Sequence, residues 1–309
     1  MARCACIDIG SNTTRLLVAE DAASCPRELF AERAFTRLGS ARDAHGAIGA
    51  QKVAEVAAIV ARQVRLAHEL GAEHLRIVAT SAVREAVNAA ALTAAVVAAC
   101  GLEPEILSPR EEARLAFAGA IGMLPDPPPG RLGVVDVGGG STELVIGTAA
   151  GGVSWSVSLP LGSGVVTDRD LPSDPPSADE LARLRAKLAE AFAGIRAPLP
   201  CTAYAVGGSA SSLQRLLGTV LDRETLERGL QALVARPAAE IALVLGLHVE
   251  RARLLPAGVL LLAAASRALD APLLLAGGGL REGVVLDQLA RAARAGAASQ
   301  GGDLPRPAA

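Results

Sequence analysis

Lysine is nearly missing from this chain. Lys52 and Lys187 are the only two, so 28 of the 30 basic residues are arginine. A Walker-type nucleotide loop needs a lysine after its glycines, and none stands there, which excludes that site. Aromatic residues make up 2% of the chain, too few for the stacking platforms that hold single-stranded nucleic acid. A formal net charge of −2 supplies no global positive field for nucleic acid or an anionic membrane, so any anion site must be local. Long apolar runs are scarce as well: 257–265 is bracketed by Arg253 and Arg267, short of a bilayer span. The apolar run before Asp8 is too short for a secretory leader. The expectation is a cytoplasmic protein without a membrane segment. Five cysteines (Cys4, Cys6, Cys25, Cys100, Cys201) are an odd number without zinc-like spacing, which predicts reduced thiols. Cys4 and Cys6 share one face of a strand, where core packing is the expected role. His45, His68, His74 and His248 lack metal-ligand spacing and read as surface or packing residues.

What the chain does have is a pattern written twice. CIDIGSNTTRLLV occupies 6–18 and VVDVGGGSTELVI occupies 134–146, so Asp8 aligns with Asp136, Gly10 with Gly138, Thr13 with Ser141, Thr14 with Thr142 and Arg15 with Glu143. Each copy is an apolar strand, an acid, a turn of small residues with hydroxyls, and a second apolar strand. Turns built from Gly, Ser, Asn and Thr let backbone N–H groups converge on an anion without Cβ crowding. The acid ending the first strand can hold a divalent cation directly or through water. Two such hairpins facing each other suit a clamp on one polyanion. With 309 residues, 51% hydrophobic and 20% charged, the chain can bury two cores.

Periodicity and turn chemistry divide it as follows. Strands are expected at 3–9, 14–20 and about 28–36, then a helix at about 50–70 ended by Gly71. HLRIVATSA, 74–82, reads as a buried strand entering a polar turn, with Asn88 capping a helix over 89–100. A short strand at 104–107 leads into SPREEARLAFAGAIG, where Ser108, Pro109 and Glu111 form a capping box. Glu111 therefore takes the structural role. Glu112 lies on another face of the first turn, and periodicity leaves it open between a helix-dipole carboxylate and an acid acting outside the helix. PDPPPGR, 125–131, is a linker, which sets the domains at 1–124 and 131–296 with a disordered tail at 297–309. The second domain repeats the hairpin at 132–146, adds a strand near 153–160, and opens a helix at Ser177 and Glu180 that runs to about 196. AVGGSASSL and LLLAGGGLREGVV are both strand, glycine turn and helix, natural seats for an anion. Further helices are expected at about 222–235, 237–246 and 256–269.

Taken together, DIGSNTTRLLV, VDVGGGSTELVIG, ATSAVREA, SPREEARLAF, AVGGSASSL and GGLREGVVLDQL resemble the Ppx/GppA phosphatase family, in order and over nearly all of residues 3–290. That family contains exopolyphosphatases and guanosine pentaphosphate phosphohydrolases, within the larger superfamily of sugar kinases, heat-shock chaperones and actin. The resemblance implies an α/β fold of two actin-like (ribonuclease H-like) domains, each a mixed five-stranded sheet flanked by helices, with a cleft between them. It implies phosphate binding by Gly10, Ser11, Asn12 and Thr13, by Gly138, Gly139, Gly140, Ser141 and Thr142, and by Gly207, Gly208 and Ser209. Asp8, Asp136 and Glu143 would hold Mg2+ or another divalent cation such as Mn2+. Arg84 would bind substrate phosphate, and Glu112 would activate the attacking water. Arg15 faces Glu143 across the repeat and could be only its ion-pair partner. Longer family members carry extra helical domains, so this chain resembles the short form, with a preference for short chains, and the resemblance suggests a homodimer.

The implied activity is exopolyphosphatase: release of orthophosphate from the end of linear polyphosphate. The alternative is removal of the 5′-terminal phosphate of guanosine pentaphosphate by the same loops and water. An actin-like small-molecule kinase is a further reading, with Gly207–Gly208 and Gly277–Gly279 seating an adenosine; a non-catalytic polyphosphate or nucleotide sensor is another.

Overall fold

The computed structural model describes residues 2–22, 25–43 and 45–300, with side chains described to 294. The first unit opens with a meander, β1 (Arg3–Ile9), β2 (Thr13–Glu20) and β3 (Arg27–Phe35). It continues with α1 (Ala50–Glu69), β4 (His74–Ala79), α2 (Ser81–Arg84), α3 (Ala89–Cys100), β5 (Glu105–Ile106) and α4 (Pro109–Gly122). Its sheet runs β3-β2-β1-β4-β5, with β1 parallel to β4 and antiparallel to β2. Helix α1 forms because Val53, Val56, Val60 and Val64 recur at helical spacing and bury one stripe against Ile7, Ile9 and Leu16. Gly71 follows at a positive φ of 78°, which glycine adopts without Cβ strain.

The second unit repeats this plan with β6 (Leu132–Val137), β7 (Thr142–Thr148) and β8 (Gly152–Leu159), then α5 (Ser163–Asp170) and α6 (Ala178–Ala193). After these come β9 (Thr202–Val206), α7 (Gly207–Leu217), β10 (Val220–Leu221), α8 (Arg223–Val234) and α9 (Ala238–Leu245), and finally α10 (Val249–Leu269), β11 (Leu273–Leu275) and α11 (Leu280–Gln300). Read from its outer edge, the sheet is β8-β7-β6-β9-β11-β10, the order of the first sheet with one strand added. The expectation of five strands in each sheet is therefore corrected for the second. Val220 and Leu221 pair antiparallel with Leu274 and Leu273, and a two-residue strand leaves no periodicity to read.

Other local expectations change too. Asn88 does not cap α3; its amide bonds the backbone N–H and C=O of Ile48, each at 2.8 Å, and pins the loop before α1. At α4 the capping box is half formed: Ser108 accepts from Glu111 N at 3.2 Å, while Glu111 turns to Arg114. At α6 the box is complete between Ser177 and Glu180. Helix α10 begins seven residues before Pro256, near its second turn, with Arg251, Ala252, Leu254 and Leu255 buried ahead of the proline. With a mean hydropathy of 1.4 over its most apolar window, α10 is long and apolar enough to cross a membrane, contrary to the reading of 257–265. Burial of 72% of that window makes it the central helix of the second core. The tail expected from 297 starts inside α11, and residues beyond 300 lie outside those described.

Two helices trade places. Ala113, Phe117, Ala120 and Ile121 of α4 pack on Leu132, Val134, Val145 and Val206 of the second sheet. Val284 and Val285 of α11 pack on Cys4, Cys6, Leu17 and Val78 of the first. The helices cross where Gly119 meets Gly279 and Gly283 meets Leu115, so close that a Cβ on Gly119 or Gly283 would strike backbone of the other helix.

Candidate active site

The site lies where the two hairpins meet. Asp8 pairs with Arg15 across β1 and β2, and Asp136 pairs with Glu143 across β6 and β7, at the same step of each ladder. The turns between them share one geometry: Gly10 N donates to Thr13 O and Gly138 N donates to Ser141 O, both at 3.0 Å. A Cβ on Gly139 would stand 3.1 Å from Asn12 N, and one on Gly140 would strike the hydroxyls of Ser11 and Ser81, so the two turns touch. Between them is a polar cavity of about 170 Å³. That is smaller than the ~300–1,000 Å³ typical of drug-sized ligand pockets, and suits only the end of a chain.

Of the residues singled out from sequence, Asp8, Gly10, Ser11, Asn12, Thr13, Glu112, Asp136, Gly138, Gly139, Gly140, Ser141, Glu143, Gly207 and Gly208 line this cavity. Three do not. Thr142 is fully buried and its Oγ1 donates to Leu161 O at 2.6 Å, so the expected hydroxyl contact to phosphate is corrected to a structural bond. Ser209 is buried against Gly258 of α10, with its hydroxyl facing away from the cavity. Arg84 stands behind Glu112: its Nη1 donates to Glu112 Oε2 at 2.8 Å and to Leu107 O at 2.7 Å. Arg15, which sequence left as a partner for Glu143, lines the cavity beside Asp8 and makes no ion pair among the described residues.

The cavity also takes residues that the repeat could not reveal. Thr80 and Ser81 enter from the end of β4, and Ser81 Oγ lies 3.0 Å from Ser11 Oγ. Ser211, Arg251, Arg281 and Glu282 come from α7, α10 and α11. Arg251 is 5% exposed, with its guanidinium against Gly208 and its Nε without a partner. Only R-E-G after three glycines hinted at Arg281 and Glu282 in the sequence; nothing marked Arg251.

Electrostatically the cavity is crowded with acid. Burial pushes Asp8 and Asp136 up to about 6, with Asp8 further raising Asp136. Burial raises Glu112 to about 7 against the opposing pull of its Arg84 bond, and Glu143 goes up through burial and the nearby Glu112 and Asp136. Ser158 holds Glu143 Oε1 at 2.7 Å. Asp8 Oδ1 is buried with no hydrogen-bond partner. A buried orphan carboxylate oxygen among like charges fits a divalent cation. Among the described residues no three such groups converge tightly enough to ligate one ion alone, which suits Mg2+ held by one or two carboxylates, water and substrate oxygens.

The family model for the Ppx/GppA phosphatase family matches residues 17–292. Exopolyphosphatase 2 of Mycobacterium tuberculosis is 35% identical over 233 residues, 70% of this chain and 71% of the relative. Exopolyphosphatase 1 of Mycobacterium bovis is 32% identical over 301 residues, 92% of this chain and 87% of the relative. The crystal structure of the Aquifex aeolicus Ppx/GppA family member superposes with a TM-score of 0.79 at 27% identity, covering 94% of this chain and 98% of that one.

Proposed function

Because the chain belongs to the Ppx/GppA phosphatase family, we propose that it is an exopolyphosphatase, releasing orthophosphate from the end of linear polyphosphate. The terminal phosphoryl group lies between the two turns. Backbone N–H groups around Ser11–Thr13 and Gly138–Ser141, the hydroxyls of Ser11 and Ser81, and the guanidinium of Arg15 face its oxygens. This places fixed donors where charge spreads over the transferring phosphoryl group. One or two of the carboxylates of Asp8, Asp136 and Glu143, with water and substrate oxygens, would hold Mg2+, which when bound would offset charge on the substrate oxygens.

Glu112 orients a water for in-line attack and takes its proton at the carboxylate. Arg84 keeps that carboxylate aimed and favours its ionised form. Ser158 and Ser141 do the same for Glu143. The leaving group is a polyphosphate one unit shorter. The observation that carries this reading is Glu112 itself: a buried carboxylate on the wall of an anion-binding cavity, bonded to one arginine and raised to about 7, where a general base works best. A kinase would turn the same base on an acceptor hydroxyl instead of water, so the need for an acceptor separates the two.

Orthophosphate release from tripolyphosphate, from longer chains and from guanosine pentaphosphate, in one buffer with and without Mg2+, tests the reading. Release from polyphosphate that needs the cation and no acceptor is expected. Release from the nucleotide alone would move the assignment to the pentaphosphate phosphohydrolase, and release only with an acceptor present would move it to a kinase.

A further inference from the structure

The segment after β3 bonds the first turn and the second unit at once. Thr36 N and Arg37 N donate to Asn12 O at 3.1 and 3.0 Å, and Gly39 N donates to Ser11 O at 2.8 Å. Thr36 Oγ1 lies 3.2 Å from Thr14 Oγ1. These are the backbone groups behind the turn that faces the cavity. On its other side the ring of Phe35 stacks on His248, with centroids 4.4 Å apart and planes 24° apart, and Arg37 forms an ion pair with Glu250. His248 is the N-cap of α10 and Glu250 lies in its first turn, and the next residue is Arg251 of the cavity wall. Arg37 holds a left-handed φ of 50°, unusual for a residue with a side chain.

We propose that Phe35–Gly39 is an interdomain clasp: Phe35 and Arg37 seat on His248 and Glu250, and the same segment then holds Ser11 and Asn12 in their anion-binding shape. Phe35, Arg37, His248 and Glu250 are positioning residues that act through the first phosphate turn. The inference rests on the phosphate-binding reading of the cavity. Its physical basis is that apparent affinity scales with the fraction of molecules already closed, while a substrate that bridges both turns supplies closure itself. Loss of the clasp therefore raises KM and leaves kcat nearly untouched. A passive surface pair would move neither.

A charge swap tests it, using Arg37→Glu, Glu250→Arg and the double variant, with Phe35→Ala as an independent probe. Each single change is expected to raise KM for tripolyphosphate about two- to fivefold with kcat within about twofold, and the double swap to return KM to near the wild-type value. The same ordering should appear in the calorimetric Kd for tripolyphosphate when the wild-type background and each variant also carry Glu112→Gln, which slows turnover by about 10²–10⁴. Single variants with unchanged KM and Kd, or a double variant no better than its parents, would overturn the clasp. Wild-type protein that bound tripolyphosphate but released no phosphate would overturn the hydrolase reading and leave the clasp standing on the binding data.

Discussion

Glu112 and Arg84 set each other's behaviour. Burial favours the neutral acid, and the 2.8 Å bond from Arg84 Nη1 favours the carboxylate; burial wins, which places Glu112 at about 7. The base is the ionised form, so kcat/KM should fall as pH drops through about 7, read from initial rates of phosphate release. Removing Arg84 takes away the influence that lowers this value, so Arg84→Met should move the same limb to higher pH. Glu112→Gln should lower kcat by about 10²–10⁴ and leave KM for tripolyphosphate within a few-fold; full activity in that variant would remove the general base from the account. By contrast, Thr142→Val should act on stability, since its hydroxyl is already bonded to Leu161 O inside the core.

At the scale of elements, the chain places acids by ending strands with them and places glycines where backbone must come close. Gly207 starts α7 at a φ of 86°, and a Cβ there would strike Asp136 Oδ1. Gly207→Ala should therefore cost about 1–3 kcal/mol of unfolding free energy in denaturant titration and also displace Asp136. The α4–α11 crossing obeys the same logic: Gly119→Ala forces backbone apart, with overpacking costs of about 1–3 kcal/mol, and it moves the helix that carries Glu112. Activity should fall with stability there, whereas Ser108→Ala should cost about 0.5–2 kcal/mol of stability alone.

For the molecule as a whole, four buried acids in one cavity set a dependence on pH and cation. Asp8, Glu112, Asp136 and Glu143 are all raised above their unfolded values, so the folded state binds protons more tightly than the unfolded one. The contribution of Asp8, Asp136 and Glu112 to stability is full below the unfolded values, near 4, and is lost as pH rises through about 6 to 7, and Glu143 acts in the same direction. A divalent cation bound there would replace protons on the carboxylates that hold it. Thermal unfolding should show a Tm increase on adding Mg2+ at pH 8, reversed by EDTA, and a smaller one at pH 5.5. An equal shift at both pH values would remove the acid cluster as the cation site.

Local order sufficed to predict both hairpins, most helices and the capping of α6, because strand alternation, glycine turns and Ser-x-x-Glu signals act within a few residues of one another. The repeat of Asp8 and Asp136 also pointed to two turns facing each other, and the two turns line one cavity. It could not say which hydroxyls face inward: Thr142 and Ser141 look alike in sequence, and only the packing of Leu161 beside the second turn decides between them. Arg251 and Arg281 reach the cavity from α10 and α11, over 100 residues beyond either hairpin, and the exchange of α4 and α11 between the sheets leaves no local signal. Those contacts join positions far apart along the chain, and it is burial in a shared core, rather than any neighbouring residue, that fixes them.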